Sequence, residues 1–310
     1  MSLKILAFGE ALFDLFHKDE NPDNIGIEAF GGGAPMNFIC ACSKFGAKPC
    51  LFYTNLTDSS YSQKLKNILS KFDVKIRTQR NPGEHPTSMV MDNGEFTFHV
   101  TPESLKFSKW AFKRRDFWGA DVFHFGTLYL ATKEGFKATL KAAKRAKRKG
   151  IVVTCDINYR QSILDTLNVK ERIFRKRIMK LLRYMDVVKF NESEALKLAG
   201  TTRTQKLFKV FSNRKNRNRL YVMTRGIKGA DVFYRGQVYS HAAYKADKVV
   251  DETGAGDIFF AGFIVKLVSN CKKNYNMETI RTAMEFANKM AARSVAYKGA
   301  ITPLEMMDTD

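Results

Sequence analysis

The run Asp251-Glu252-Thr253-Gly254-Ala255-Gly256-Asp257, opening into an apolar stretch over residues 258–268, carries the clearest chemistry in the chain. Glycines at 254 and 256 permit a tight turn and let backbone approach a ligand with no Cβ in the way. A helix that starts there aims unpaired N–H groups at an anion, which makes a cradle for phosphate. Asp257 stands at the mouth of that cradle, where a carboxylate repels phosphate. Its presence makes chemical sense if it takes a proton from an attacking hydroxyl. The plainer alternative is a glycine-rich strand-to-helix turn capped by an aspartate, and this motif alone leaves both readings open.

The elements around it are regular. Short apolar runs at 4–8, 48–53, 122–125, 151–156, 187–190 and 220–224 alternate with helical stretches at 34–45, 61–71, 133–149, 192–199 and 277–297. Continuous apolar strands between helices predict an α/β fold, a central mostly parallel sheet covered by helices on both faces. Ligands in such sheets collect at the carboxyl ends of the strands. His124, Asp156, Asn191 and Thr224 all fall there. Two segments break the rhythm, 13–30 and 87–105, the second with an Asp92-Asn93-Gly94 turn between strand-like runs, a hairpin signal. With no repeat, low-complexity tract or linker, a single domain over 1–310 is expected.

Composition narrows the class. A chain of 310 residues with 45% hydrophobic side chains and 25 Phe can bury a large core, which excludes disorder. Five cysteines without a CxxC pair argue against a zinc site or a disulfide framework. No stretch approaches the ~18 to 20 apolar residues of a membrane span, and no signal-peptide pattern opens the chain, so a soluble cytoplasmic protein is expected. The formal charge of +21 is spread out. Lys141 to Lys149 and Arg172 to Arg183, the latter including Arg177, read as basic faces of amphipathic helices. Arg214-Lys215-Asn216-Arg217-Asn218-Arg219 reads as a loop with a basic tip, unaccompanied by any nucleic-acid recognition motif. The modest inference is a positive field that attracts anionic substrates and binds polyanions only weakly and nonspecifically.

DETGAGD resembles the DTxGAGD signature of the ribokinase-like, PfkB-type carbohydrate kinases. Gly31-Gly32-Gly33-Ala34-Pro35-Met36-Asn37 is similar to the GGAPxN form of fructokinases within that family. Weaker matches follow in family order: Gly9-Glu10 with Asp14, His124-Phe125-Gly126, Asp156-Ile157-Asn158-Tyr159-Arg160, Asn191 with Glu194, and Thr224-Arg225-Gly226 with Gly229. Together they span nearly the whole chain.

The resemblance implies ATP-dependent phosphorylation of a sugar hydroxyl, with Asp257 as general base and the N–H groups of Gly254, Ala255 and Gly256 as the anion hole. It implies a sugar site of Asp14, Gly32, Gly33, Asn37, Asp156, Asn158 and Arg160 beneath a small β lid made of segments 13–30 and 87–105. Lys189, Asn191, Thr224, Gly226, Gly229 and Asn288 belong by the same resemblance to the ATP side. Glu194 would support Mg²⁺ through water, and carbonyls near Asp251 and Thr253 are candidate ligands for a monovalent cation such as K⁺. Two departures stand out. Val100 occupies the place where fructokinases present a substrate-contacting Arg, and Glu252 adds an acid beside the anion site that Arg225 is positioned in sequence to offset. The alternatives are a 2-keto-3-deoxygluconate kinase, a nucleoside kinase, or a kinase-shaped scaffold with weak activity; a homodimer is left open.

Overall fold

The computed structural model describes residues 2–21, 24–80, 84–91, 96–200, 218–271 and 274–309. In chain order the first elements are β1 (Ile5–Phe8), β2 (Leu12–Asn21), β3 (Asn24–Gly32), α1 (Ala34–Lys44), β4 (Cys50–Leu56), α2 (Ser60–Lys71) and β5 (Val74–Arg80). There follow β6 (Thr87–Val90), β7 (Phe96–His99), β8 (Val122–Phe125), α3 (Lys133–Arg148), β9 (Val152–Asp156), α4 (Gln161–Thr166) and α5 (Glu171–Leu182). The rest are β10 (Val187–Asn191), α6 (Glu192–Ala199), β11 (Leu220–Thr224), β12 (Ala230–Tyr234), β13 (Gln237–His241), α7 (Ala255–Asn270), α8 (Met277–Ser294) and α9 (Thr302–Met306).

Nine strands form one sheet in the order β13-β12-β11-β10-β9-β8-β1-β4-β5. It is parallel from β11 to β5 and antiparallel only at β11–β12 and β12–β13. Period-two alternation along the buried strands splits the core into two layers. Ile5 and Ala7 of β1 and Phe52 of β4 face one layer, filled by α1, α7 and α8. Leu6 and Phe8 with Tyr53 face the other, filled by α3, α5 and α6. Because the sheet is buried on both faces, its strands read as unbroken apolar runs rather than alternating ones. Helix α7 is apolar nearly all round, with Ile258, Phe260, Ile264 and Leu267 fully buried, because it is packed between α1 and α8 in the core layer on this face of the sheet.

The segment 13–30, which breaks the α/β rhythm, folds as β2 and β3, a long antiparallel pair. β2 also pairs in parallel with β6, and β6 antiparallel with β7, giving a second sheet in the order β3-β2-β6-β7. Strand pairing ends at His99, so residues 100–105 continue as turns rather than as sheet. The turn Asp92-Asn93-Gly94 lies outside the described residues, as do residues 214–217 of the basic tip.

Two basic residues are not solvated as their runs suggest. Arg219 is 5% exposed and donates to the Met185 carbonyl at 2.8 Å and to the Tyr221 hydroxyl at 3.1 Å. Arg177 of α5 donates to the carbonyls of Leu130 and Ala131, at 2.5 and 2.7 Å, and so ties α5 to a short 3-10 turn beside the sheet. A guanidinium on an amphipathic helix bears on the core when a helix end nearby has carbonyls to satisfy.

Phe260 joins α7 to the sheet, with Phe38 of α1 and His124 of β8 each 5.7 Å away between ring centroids. Truncating it leaves a cavity that this tightly packed layer cannot fill. Phe260→Ala is expected to lower the unfolding free energy by about 3 to 5 kcal/mol. Urea titration followed by circular dichroism checks this; a loss below about 1 kcal/mol would show that the layer is not packed as described.

Candidate active site

The turn before α7 holds its shape through backbone geometry and one braced carboxylate. Gly254 is in the left-handed region at φ 78°, and a Cβ there would stand 2.3 Å from the Ala300 Cβ, so only glycine fits. Asp251 accepts from the Thr253 N–H at 2.9 Å on one oxygen and from the Gly299 N–H at 2.7 Å on the other. This ties the entry of the turn to the segment after α8. The positive end of α7 then points into a cleft, with Asp257 in its first turn. Across the cleft, α1 starts from Gly33 at φ 102°, and Asn37 donates to Asp257 Oδ2 at 2.9 Å.

Beneath the turn lies a buried ion pair. Lys189 Nζ is 2.6 Å from Asp156 Oδ2, and both side chains are almost wholly buried. A Cβ on Gly256 would stand 3.3 Å from the same ammonium, so the glycine lets Lys189 sit directly under the anion turn. Burial works against the Lys189 charge, but Asp156, Glu194 and Asp257 outweigh it and hold its pKa above the usual value. Glu194 is pushed up by burial and by Asp156. Both its oxygens are engaged: one accepts from the Tyr159 N–H at 2.7 Å, the other from the Asn191 N–H at 2.8 Å. With the Asn191 side chain accepting from the Glu194 N–H at 2.9 Å, the pair forms a capping box on α6.

The cleft opens at the carboxyl edge of the large sheet, roofed by the second sheet. Asp14, Gly33, Asn37, Asn158, Arg160 and Asp257 line it, together with Thr253 and Gly254. Asp14 is buried and accepts from Ser88 Oγ, and Gly32 makes room for it: a Cβ at position 32 would lie 2.1 Å from Asp14 Oδ2. Arg160 reaches across β7 of the second sheet, its guanidinium 5.0 Å and 6.0 Å from the ring centroids of Phe96 and Phe98. Glu10 Oε2, Asn37 Oδ1 and Asn158 Nδ2 are buried without a hydrogen-bond partner. Orphaned polar atoms around a cleft are free to complete their bonding on a polar ligand or on water.

The pKa values follow from this packing. Asp257 is pushed up to about 7, first by burial and then by Asp156, against the pull of Lys189, Asn37 and Arg160. Glu10 rises to about 7 through burial, opposed by its own N–H and helped by Asp257. Asp14 rises to about 6 through burial, opposed by Ser88 and Arg160.

Several sequence expectations change. Asp156 does not line the cleft; it is the buried partner of Lys189, and within the Asp156–Arg160 segment only Asn158 and Arg160 do. Asn158 sits at φ 37°, a left-handed conformation that asparagine tolerates. Val100 is packed in the apolar layer with Phe98 and Leu105 rather than in the cleft, so the cation beside this strand comes from Arg160. Arg225 is paired with Asp231, which also accepts from Ser240 Oγ, and so is not free to offset Glu252. His124 is a core residue: it stacks on Phe38 at 3.8 Å, shares a hydrogen bond with Thr154 Oγ1, and burial then Lys189 hold it neutral, its pKa down at about 3. Glu10 lines the cleft although the motifs give it no site role; its place just past the carboxyl end of β1 was the available signal. The apolar walls Leu12, Phe96, Phe98, Leu128 and Ile163 were also unmarked, since nothing in their types separates wall from core.

The remaining residues gather away from the cleft. A Cβ on Gly229, at φ 89°, would meet the His241 carbonyl at 2.0 Å, and Asn288 of α8 lies 3.4 Å from His241 Nδ1 while donating to the Met284 carbonyl at 2.9 Å. Thr224 ends β11 and Gly226, at φ 53°, starts the short turn that leads to Gly229. These residues frame the far side of the same sheet edge, beyond Asn191.

Residues 2–307 match the model of the family described as pfkB family carbohydrate kinase. A fructokinase of Escherichia coli is 28% identical, covering 98% of this chain and 97% of its own. Among solved structures, a fructokinase from Xylella fastidiosa with bound ATP superposes with a TM-score of 0.84 at 24% identity, covering 97% and 94% of the two chains. A fructokinase from Vibrio cholerae O395, solved with fructose, ADP and calcium, gives 0.83 at 25% identity over 97% and 96%.

The raised carboxylates make stability depend on pH. An acid whose folded pKa exceeds its unfolded value stabilises the fold most below the unfolded pKa and loses that contribution as pH rises through the folded one. Asp257, Glu10 and Asp14 therefore lower the melting temperature of the ligand-free protein between about pH 4 and pH 7. Asp257→Asn is expected to make that fall shallower. Thermal melts across this range read it directly, and an unchanged pH dependence in the variant would contradict the raised Asp257 pKa.

Proposed function

The chain belongs to the pfkB family of carbohydrate kinases, and from that premise we propose that it transfers the γ-phosphoryl group of ATP to a hydroxyl of a neutral, fructose-like sugar. The observation that carries this is Asp257, set in the first turn of α7, hydrogen-bonded to Asn37, and facing a cleft edged with unpaired polar atoms. Asp257 takes the proton of the sugar hydroxyl as that oxygen bonds to the γ-phosphorus and the bond from phosphorus to the ADP oxygen breaks. The N–H groups of Gly254 and Gly256 are assigned to the charge on the transferring group, with the Lys189 ammonium beneath them; the Ala255 N–H, expected to join them, donates instead to the Glu252 carbonyl at 3.1 Å. A carboxylate with a pKa near 7 is well matched to this work at neutral pH.

The cleft supports a neutral acceptor. Among the described residues that line it, Glu10, Asp14 and Asp257 stand against the single cation Arg160. A keto-acid carboxylate would meet three acids, each repelling it to the extent that it is ionised, whereas sugar hydroxyls bond to them in either protonation state and satisfy Asn158. The sugar contacts assigned to Asp14, Gly33, Asn37, Asn158 and Arg160 follow the lining, with Gly32 making room for Asp14. A nucleoside base has less to stack on, since Arg160 already covers Phe96 and Phe98. ATP is assigned to the far side, along Asn191, Thr224, Gly226, Gly229 and Asn288.

Mg²⁺ fits this site as an ion carried on the phosphates rather than caged by protein. Among the described residues no group of three His, Cys, Asp or Glu side chains converges, and the Glu194 oxygens already accept N–H groups, leaving their second lone pairs for water. When bound, the ion neutralises phosphate charge. A monovalent cation near Asp251 and Thr253 would use backbone carbonyls, because both Asp251 oxygens are engaged. Its test is the rate in potassium against a bulky organic cation, with a faster rate in potassium expected. No helix among the described residues is long and apolar enough to cross a membrane, and we assign the enzyme to the cytoplasm, where ATP and free sugars meet.

Asp257→Asn is expected to lower kcat by about 10² to 10⁴-fold with ATP affinity nearly unchanged. Steady-state kinetics and calorimetric ATP titration separate the two; retention of most of the activity would remove Asp257 as the base. In the wild type, kcat/KM should climb with pH through an apparent pKa near 7 as Asp257 ionises. A flat profile from pH 5 to 8 would count against the assignment.

A further inference from the structure

The edge of the sheet opposite the cleft carries a surface that the kinase reaction does not use. The C-terminal end of α3 and the loop before β8 meet at the amino ends of the strands, where Lys141, Lys144, Arg145, Arg148 and Lys149 converge with Arg114 on one groove. Among the described residues no carboxylate lines it. Burial and the neighbouring cations Arg145, Lys109 and Arg114 hold the Lys141 pKa below its usual value. Burial, then Arg114, do the same for Arg145. Lys147, on the outer face of α3, is paired with Asp186, and Arg145 of the groove donates to the Phe112 carbonyl at 2.9 Å.

Two indoles stand beside them. Trp118 lines the groove and is 65% exposed; Trp110 is 74% exposed, with Lys141 Nζ 3.4 Å from its ring centroid. Large exposed aromatics are costly on a surface with no partner. They are the only tryptophans in the chain; Trp118 lines the basic groove and Trp110 meets it through Lys141.

We propose that this face binds single-stranded nucleic acid, the cations following the phosphates and Trp118 and Trp110 offering stacking surfaces to the bases. A groove of like charge interleaved with exposed aromatics is how strands are held without sequence preference. The surface lies at the amino ends of β8 and β9, and the cleft at the carboxyl ends of the same strands, so the two ligands do not compete. The basic runs of the sequence read separately as helix faces; folding is what adds the indoles to one of them.

Because all tryptophan emission comes from this face, intrinsic fluorescence reports the contact. Titrating the full-length protein with an oligothymidylate of about 20 nucleotides is expected to quench that emission, with Kd about 1 to 100 µM at low salt. The slope of log Kd against log salt should approach about 4 for six cations. Lys144→Glu with Arg148→Glu should weaken binding at least about tenfold and flatten the slope, leaving sugar-kinase activity unchanged. Trp118→Ala, followed by anisotropy of a labelled oligonucleotide, should weaken it several-fold and cover the case in which the double variant melts early. Saturating ATP should not displace the strand. Undiminished binding by a folded variant, displacement by ATP, or no quenching overturns the proposal. So does equal affinity for heparin with no dependence on Trp118. Tighter binding to vesicles containing phosphatidylserine would overturn it in favour of a membrane surface.

Discussion

The buried Lys189–Asp156 pair is the constraint on which the site depends. Asp156, Glu194 and Asp257 all lie within electrostatic reach of one ammonium, in surroundings that would otherwise force protons onto all of them. The ammonium also compensates the concentration of acid next to the turn proposed to face phosphate. Removing either partner would leave an uncompensated buried charge, an outcome that costs far more than the pair contributes. The geometry that makes the pair possible is parallel: β9 and β10 lie side by side in register, with Lys189 opposite Asp156. The small residue above them, Gly256, then brings the helix N-terminus within reach of the same charge.

A second line of contacts joins the small sheet to the anion turn. Phe30 of β3 packs where a Cβ on Gly299 would sit, Lys298 pairs with Glu28 and lies over Phe16 and Phe30, and the Gly299 N–H binds Asp251. The Asp251 carboxylate in turn holds the Thr253 N–H at the entrance to the turn. The strands that roof the cleft and the loop proposed to face the phosphates thus share one short segment, 298–300. The Glu28–Lys298 pair is partly exposed and contributes little by itself; the aromatic packing beneath it is the firmer part of the link.

Much of this was legible in the residues. The strand runs at 122–125 and 220–224 and the helix at 192–199 fold with the bounds their apolar patterns imply, because strands buried on both faces and helices with clear caps leave strong periodic signals. The glycine turn and its aspartate were legible because backbone conformation at Gly254 and chemistry at Asp257 both restrict residue type. What the sequence did not disclose depends on partners distant in the chain. Asp156 reads like a ligand residue, and only the neighbouring strand turns it into the counter-ion of Lys189. Val100 reads like a missing contact, yet it faces the core, while Arg160 approaches the same strand from another segment. Arg219 ends a run of cations but folds inward to carbonyls that no local pattern announces. The indoles beside α3 belong to a loop separated from it by β8, so the composite surface exists only in the fold.

The central claim is that this cleft delivers a neutral sugar hydroxyl to Asp257 and to ATP. The most direct test is release of ADP, measured in a coupled assay with ATP and Mg²⁺ across ketoses, aldoses, keto-acids and nucleosides. The account predicts acceptor-dependent ADP release with a neutral hexose, highest for fructose or a close relative, and little with keto-acids or nucleosides. Release that favours a keto-acid or a nucleoside, or that no acceptor stimulates, would contradict it.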